Sequence, residues 1–404
     1  MFDKDFTPVL RFAVVSDVHY KDEHTIERDR MKQAIQTAYR LSDESEYKKL
    51  DAFYVVGDFA NNGSPTQMKA FRQTLDENIR PGTVWNVSLA SHEFGYDGPD
   101  GAKQRLREIF DLDTNTHRVI NGFHFISVGC DHGCRFEDGE KKFAFDSLEE
   151  AVADSRKKPI FFFQHPHITD TVLGSINWGE DDLIPIMVNY PQIIDFSGHS
   201  HAPINDPRSI HQRHFTALGT GTLSYFEGDD FDKYYGTVFP GAEKAAQMLI
   251  VEADAENRVR VYPYDLITDN FFPYVWKIDT PSDPTTYIYT DARYNTGDRP
   301  YFKDGAKPEI LNLNSRGFDV RFPQAAIDSD YVCDYSVYVI DTEGNIIRHK
   351  SVWSEYYFYD MPECLTVPFD DLKPGEYKAR ILARSFWNLR SEKCIESEFV
   401  KLPE

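Results

Sequence analysis

Cysteine is scarce in this sequence of 404 residues: five in all, Cys130, Cys134, Cys333, Cys364 and Cys394. The number is odd and the spacings match no zinc ribbon or redox pair, so free buried thiols in a reducing compartment are expected. Positive charge is also in deficit, with 44 Lys and Arg against 66 Asp and Glu and a net charge of −22. A surface that acidic repels duplex nucleic acid and anionic membranes. A small anionic substrate can still bind where a metal supplies local positive charge. No apolar run reaches the ~18 residues of a membrane span. The opening MFDKDFTPVLRF has no charged-then-apolar leader, which points to a cytoplasmic protein, or to a secreted one if a signal peptide has been removed. Internal repeats and low-complexity segments are absent.

What is present is an ordinary globular composition, 41% hydrophobic and 27% charged, with aromatics at 14%. The length suggests about two to three domains and is ample for a large core without staples. The aromatic content favours strands.

The first half alternates strands and helices. Apolar runs at 9–15, 52–56, 84–89, 123–128, 160–163 and 193–196 read as buried strands. Met31, Ala34, Ile35, Ala38 and Tyr39 recur at helical spacing. Ser64, Pro65 and Gln67 form a helix start with a capping box, placing Met68, Phe71, Leu75 and Ile79 on one face. Ser147 with Glu150 is a second capping-box candidate. The alternation predicts an α/β domain over 1–278, ending in a hairpin of 247–253 with 258–262. The Pro- and Asp-rich stretch Asp279–Pro284 reads as the linker. Beyond it, over 279–404, short strands at 310–314, 318–322, 335–341, 346–353 and 377–383 predict an all-β sandwich.

Strands of the first half end in possible metal ligands: Ser16-Asp17-Val18-His19, Gly57-Asp58, Ser91-His92-Glu93, Gln164-His165-Pro166-His167 and Ser197-Gly198-His199-Ser200-His201. The strand ending at Gly129-Cys130-Asp131-His132 offers rim residues. In open α/β sheets, ligands gather beyond the carboxyl ends of strands, so these segments deliver Asp and His to one edge. Each fragment alone is weak. His199 and His201, two apart on an extended backbone, face the same way and can reach one metal.

In order and context, SDVH, GDFANNG, ASHE, FQHP and GHSH resemble the signature of the calcineurin-like metallophosphoesterases: D-x-H, G-D, G-N-H-D/E, a single His and G-H-x-H, each after a strand. The resemblance spans residues 16 to 201. It implies a four-layer αββα sandwich with a two-metal site at one edge. By resemblance, Asp17, His19 and His201 hold one ion, Asp58 bridges, and His165 and His199 hold the second. His92 binds no metal and is the catalytic group, stabilising the transition state or protonating the leaving oxygen. Mixed His and carboxylate ligands suit Mn, Fe or Zn better than Ca or Mg. The implied activity is hydrolysis of phosphate mono- or diesters by a metal-bridged hydroxide. A cyclic-nucleotide-type phosphodiesterase and a non-catalytic scaffold on the same fold are the alternatives. The implied partner is a small phosphate ester, without duplex nucleic acid or membrane.

One position departs from the pattern. Ser91 stands where the family has Asn, an amide ligand to the second metal. A serine hydroxyl is a shorter and poorer ligand, so a weaker second ion, or a water in the gap, is expected. Asn61 occupies the position where purple acid phosphatases carry a Tyr ligand, so no tyrosinate-bound iron is expected. Asn62, before Gly63, reads as a turn residue. His167 is a substrate contact or a packed loop histidine. His132 with Cys130 and Cys134 reads as a chance grouping, and Trp178, Tyr225 and Phe226 as core before pocket wall.

In the tail, Leu372-Lys-Pro-Gly-Glu-Tyr377 before an alternating strand resembles the tyrosine corner of fibronectin type III and immunoglobulin-like sandwiches. Residues Trp387 to Ser391 would form the next hairpin turn. That unit carries no catalytic constellation; its expected roles are packing on the catalytic domain, shaping the pocket rim or binding a protein partner.

Overall fold

The computed structural model describes residues 2–403. The chain divides into two compact units, Met1–Thr290 and Asp291–Glu404. The Asp279–Pro284 stretch falls in the first unit, and the residues after it are tied back there. The Gln212 side-chain oxygen accepts from the N–H groups of Ile288 (2.9 Å) and Tyr289 (3.1 Å), and the Tyr287 hydroxyl donates to the Pro191 carbonyl (2.8 Å).

The first unit is built on two mixed sheets. In one, β1 (Pro8–Val15), β2 (Ala52–Val55) and β3 (Val84–Val87) run parallel, and β1 is also flanked by the antiparallel hairpin Gln247–Asp254 with Val259–Asp265. In the other, β4 (Asn115–Ile120) pairs antiparallel with β5 (Phe123–Val128). The order then continues in parallel through β6 (Ile160–Phe163), Ile193–Ser197 and Thr216–Gly219, and closes with Ile210–Gln212 antiparallel.

Alternation along the strands sorts the side chains into layers. Between the sheets lies an aromatic layer. Phe12 packs edge-on against Phe125 (5.0 Å) and Phe161 (4.8 Å), and Tyr54 stacks on Phe163 (4.2 Å). The opposite faces bury Ala13, Val15, Phe53 and Val55 in one core with the apolar stripes of α1 (Ile26–Glu44) and α2 (Pro65–Asn78). The result is the expected four-layer αββα arrangement.

Ser64 caps α2, its hydroxyl accepting the Gln67 N–H at 3.3 Å. The reciprocal bond of the box is displaced: the Gln67 side chain accepts from the N–H of Asn62, not of Ser64. The second capping box is overturned. The helix Asp138–Asp154 begins nine residues before Ser147, which lies inside it and is buried. Its buried face of Glu140, Ala144, Ser147, Leu148 and Ala151 keeps the helical period, and Ser147 is small enough to belong to that face.

The second unit places Glu309–Asn314, Gly317–Pro323 and Cys364–Phe369 in one sheet. Ile346–Trp353, Val332–Asp341, Glu376–Ser385 and two short strands form another. Side chains of both, Phe318, Val320 and Val367 with Val337, Val339 and Ile381, share one core. The Tyr377 hydroxyl donates to the Lys373 carbonyl at 3.0 Å, the bond expected of a tyrosine corner. The Ser385 N–H donates to the Leu389 carbonyl at 2.9 Å, closing the turn that follows.

Candidate metal centre

Beyond their last paired residues, β1 and β2 stay zipped together. The N–H groups of Val18 and His19 both donate to the Asp58 carbonyl (2.9 and 3.0 Å), and that of Tyr20 to the Phe59 carbonyl (3.0 Å). Asp17, His19 and Asp58 are thereby held side by side, all with positive φ (52°, 56° and 48°), as are His199 (70°) and His201 (54°). Left-handed backbone costs a non-glycine residue roughly 1–2 kcal/mol. Five such residues gathered beyond strand ends of the two sheets are the strain pattern of a functional site. Two glycines permit the close approach. A Cβ on Gly57 would lie 2.4 Å from the His165 ring, and one on Gly198 would lie 2.5 Å from the Asp17 carboxylate.

The donor atoms fall into overlapping groups: Asp17, His19 and His201; His19, Asp58 and His92; Asp58, His165 and His199. Within each group they lie within 4.8 Å of one another. All six expected ligands and His92 therefore converge, with Asp58 between the two ends. Asp17 and Asp58 are aimed by neighbouring loops: Asp17 accepts the His199 N–H (3.1 Å) and Asp58 accepts the His92 N–H (3.1 Å).

Three histidines are oriented through Nδ1. His165 donates to the Val56 carbonyl (2.7 Å), His201 to the Tyr225 carbonyl (3.0 Å) and His92 to the Asn61 carbonyl (2.8 Å). A carbonyl can only accept, so in each ring Nδ1 carries the hydrogen and the Nε2 lone pair of the neutral form faces the site.

The donor set suits divalent cations. His19 Nε2 and His201 Nε2 face each other at 3.1 Å, and His201 Nε2 lies 3.3 Å from Asp17 Oδ1. Donors about 2.0–2.2 Å from one shared ion stand about 3–3.5 Å apart, so these gaps match the spacing that ligands of one ion would have. His165 Nε2 is fully buried and faces Asp58 Oδ2 at 3.0 Å. Burial drives His19 and His199 down to about 4 and His201 well below its ordinary value, so these rings are neutral at pH 7 and offer lone pairs. Burial likewise pushes the Asp17 carboxyl up to about 7, against the pull of His165. Burial also opposes a charge on His165, but Asp58 and Asp17 outweigh it and raise the ring to about 10.

Glu93, which the sequence reading left without a role, organises the centre from behind. Its carboxylate accepts the N–H groups of Ala60 (2.8 Å), Ala90 (2.9 Å) and Asp58 (3.2 Å), tying the ends of β2 and β3 together. Burial and the charge of Asp58 push its carboxyl well above the ordinary range. The acidic last letter of ASHE was the available signal.

Other candidates resolve differently. His167 is a packed loop histidine, buried, with its nitrogens on the Ser197 (2.7 Å) and Ser200 (2.6 Å) hydroxyls. Asn62 accepts the Ser64 N–H at 3.1 Å, as a turn residue does. Phe226 is buried core, whereas Trp178 and Tyr225 wall a cavity of about 450 Å³ floored by Asp58, His92 and His199. His132 groups with Asp131 and Glu137 on the surface, apart from Cys134. The Cys134 thiol instead reaches the centre, 3.6 Å from His199 Nε2 and beside the Ser91 hydroxyl. Burial and Asp58 hold it protonated, pushed up to about 12.

Comparison with known proteins agrees with this geometry. Residues 10–203 match the family model for calcineurin-like phosphoesterase. No curated protein matches the chain. Among solved structures it is similar to purple acid phosphatase PPD1 from yellow lupin (Lupinus luteus) seeds. That likeness is 13% identical, covers 65% of this chain and 52% of that one, and has a TM-score of 0.46. It is also similar to PhoD, at 10% identity, with 70% and 74% covered and a TM-score of 0.42. The chain thus spans about half the length of the lupin phosphatase. At such scores neither likeness adds weight to the family match. Residues 10–203, which contain Asp17, His19, Asp58, His92, His165, His199 and His201, are a calcineurin-like phosphoesterase domain.

Proposed function

We propose that the chain is a dinuclear-metal phosphoesterase hydrolysing phosphate mono- or diesters in the cavity above Asp58. The observation that carries this reading is the sharing of one carboxylate: Asp58 groups with His19 on one side and with His165 and His199 on the other. Asp17, His19 and His201 would hold one ion and His165 and His199 the other, with Asp58 common to both. Mixed imidazole and carboxylate donors favour Mn, Fe or Zn. Such a pair of ions, when bound, supplies positive charge for the phosphoryl oxygens and a water acidic enough to attack phosphorus near neutral pH.

The chain's own groups supply the rest. His92 is 43% exposed at the cavity floor, with Nδ1 committed to Asn61 and Nε2 4.0 Å from Asp58 Oδ2. Its Nε2 can hold a proton for the leaving oxygen. Trp178 and Tyr225 supply flat apolar walls for the group esterified to phosphate. None of the described residues lining the cavity is Lys or Arg. The phosphate therefore depends on the cations for its counter-charge.

The C-terminal unit is read as a fibronectin type III-like sandwich, supported by its two sheets around one core and by the Tyr377 hydroxyl bond. The test of the activity is hydrolysis of nitrophenyl phosphate mono- and diesters with Mn added. Turnover of either supports the reading, and their ratio ranks monoesterase against diesterase. No turnover of either with both ions bound would favour a scaffold.

A further inference from the structure

The cavity over the metal centre has an acid in its wall that the chemistry above does not use. Glu227 lines it together with Trp178 and Tyr225 and is only 7% exposed. The Tyr225 hydroxyl hydrogen-bonds the Glu227 carboxylate, but Oε2 is buried without a partner. None of the described cavity residues is a Lys or Arg that could pair with it. Burial raises the Glu227 carboxyl against the pull of that hydrogen bond. A carboxylate so dry and unpaired is costly, and a cation brought beside it offsets the cost. The wall is fixed to the metal loop. The Glu227 N–H donates to the His201 carbonyl (3.2 Å), and the Tyr225 carbonyl accepts from His201 Nδ1 (3.0 Å). The Tyr225 ring lies 4.3 Å from the His201 ring and the Trp178 ring 5.4 Å from the His199 ring, so an aromatic ring stands beside each outer ligand group. Tyr235 joins the two sides, its ring edge-on to Trp178 (5.4 Å) and its hydroxyl on the Glu227 carbonyl (3.1 Å).

We propose that Glu227, with Trp178 and Tyr225, selects phosphate esters whose alcohol carries an ammonium group. This rests on the phosphoesterase reading and names its substrate class. Aromatic faces attract a cation most strongly where water is excluded, and the carboxylate adds a full opposite charge. A neutral alcohol of the same shape fills the same space and leaves Glu227 uncompensated. The net charge of −22 acts in the same direction, since an ammonium group cancels part of the ester's negative charge and lessens the repulsion. Glu227 passes no proton to the reacting atoms; its role is selection.

The test is the ratio of kcat/KM for choline phosphate to that for its uncharged isostere, in which a tert-butyl group replaces the trimethylammonium, measured on the full chain with Mn. Wild type, Glu227→Gln and Trp178→Leu are compared, so that the intrinsic difference between the two alcohols cancels. The ratio should fall at least about tenfold in Glu227→Gln and about threefold in Trp178→Leu, mostly through KM. Each ratio is taken within one protein, so a variant of lower overall activity still reports. Circular dichroism checks folding, and Trp178→Leu carries the test if Glu227→Gln does not fold. A ratio unchanged in the folded variants overturns the inference and leaves the phosphoesterase reading standing. Turnover of nitrophenyl phosphate without turnover of choline phosphate does the same. So does an equal preference for glycerol phosphate over the isostere that is lost in Glu227→Gln, since the acid would then read hydroxyl groups. No turnover of any ester, nitrophenyl phosphate included, overturns the phosphoesterase reading and this inference with it.

Discussion

His92 is pinned through one nitrogen and left open at the other, and that asymmetry sets its expected behaviour. Replacing it with Ala removes a proton donor without removing any of the six proposed ligands. His92→Ala should therefore lose about 10²- to 10⁴-fold in kcat while metal analysis still finds two ions per chain. Full activity in the variant would show that Nε2 carries no proton in the reaction. At this scale the sequence was unusually informative. The gathering of Asp17, His19, Asp58, His165, His199 and His201 was legible because each follows a strand in a fixed order, although the strands belong to two sheets. Cys134 and Glu93 were not. Cys134 lies four residues past a rim position, on a loop whose path no periodicity predicts. Glu93 works through three backbone N–H groups of other segments, which leave no trace in residue spacing.

At the scale of elements, the hairpin Gln247–Asp254 with Val259–Asp265 is joined to β1 by a buried ion pair. Arg11 Nη2 lies 2.6 Å from Glu252 Oε1, both side chains being 2% exposed or less, and the Tyr262 hydroxyl donates to the other carboxylate oxygen at 2.9 Å. Arg11→Ala strands Glu252 in a dry environment and should cost about 3–5 kcal/mol in urea unfolding. Arg11 together with Glu252 replaced by apolar residues of similar volume should cost far less.

A second buried pair gives a pH signature. Burial opposes ionisation of Asp229, but Arg208, 2.6 Å away, and Lys233 hold its carboxyl below the ordinary 3.8. A depressed carboxyl stabilises the fold above its unfolded value, and that contribution is lost as pH falls through the folded value. Asp229→Asn should therefore be less stable than wild type at pH 7, and the gap should close below about pH 4. A gap that is constant with pH would mean that Asp229 does not act through its charge.

The buried parallel strands and the stripes of α1 and α2 were readable because burial on one or both faces writes itself into hydropathy. The edge strand β4 was not, since it is only partly buried. Its Asn121-Gly122 turn, with φ of 51° and 81°, was nonetheless a hairpin signal in plain sight. Ser147 misled because a small polar residue on a buried helix face looks like a cap.

For the whole molecule, the net charge of −22 opposes the approach of any phosphate ester. Salt screens that field over a Debye length of about 10 Å at 0.1 M. Raising ionic strength from about 0.01 to 0.15 M with a non-coordinating salt should raise kcat/KM for a dianionic monoester, by up to about tenfold. The rise should be smaller for a monoanionic diester, and kcat should change little. Composition made the acidic surface legible, but where the cations offset it depends on five loops meeting in space. The measurement that bears most directly on the phosphoesterase reading is metal stoichiometry paired with phosphate-ester turnover, in wild type and in Asp58→Asn. Two ions per chain with turnover that depends on them, both lost or sharply reduced when the shared carboxylate becomes an amide, is the predicted result. A chain that binds no ions, or that hydrolyses esters equally well after their removal, would contradict it.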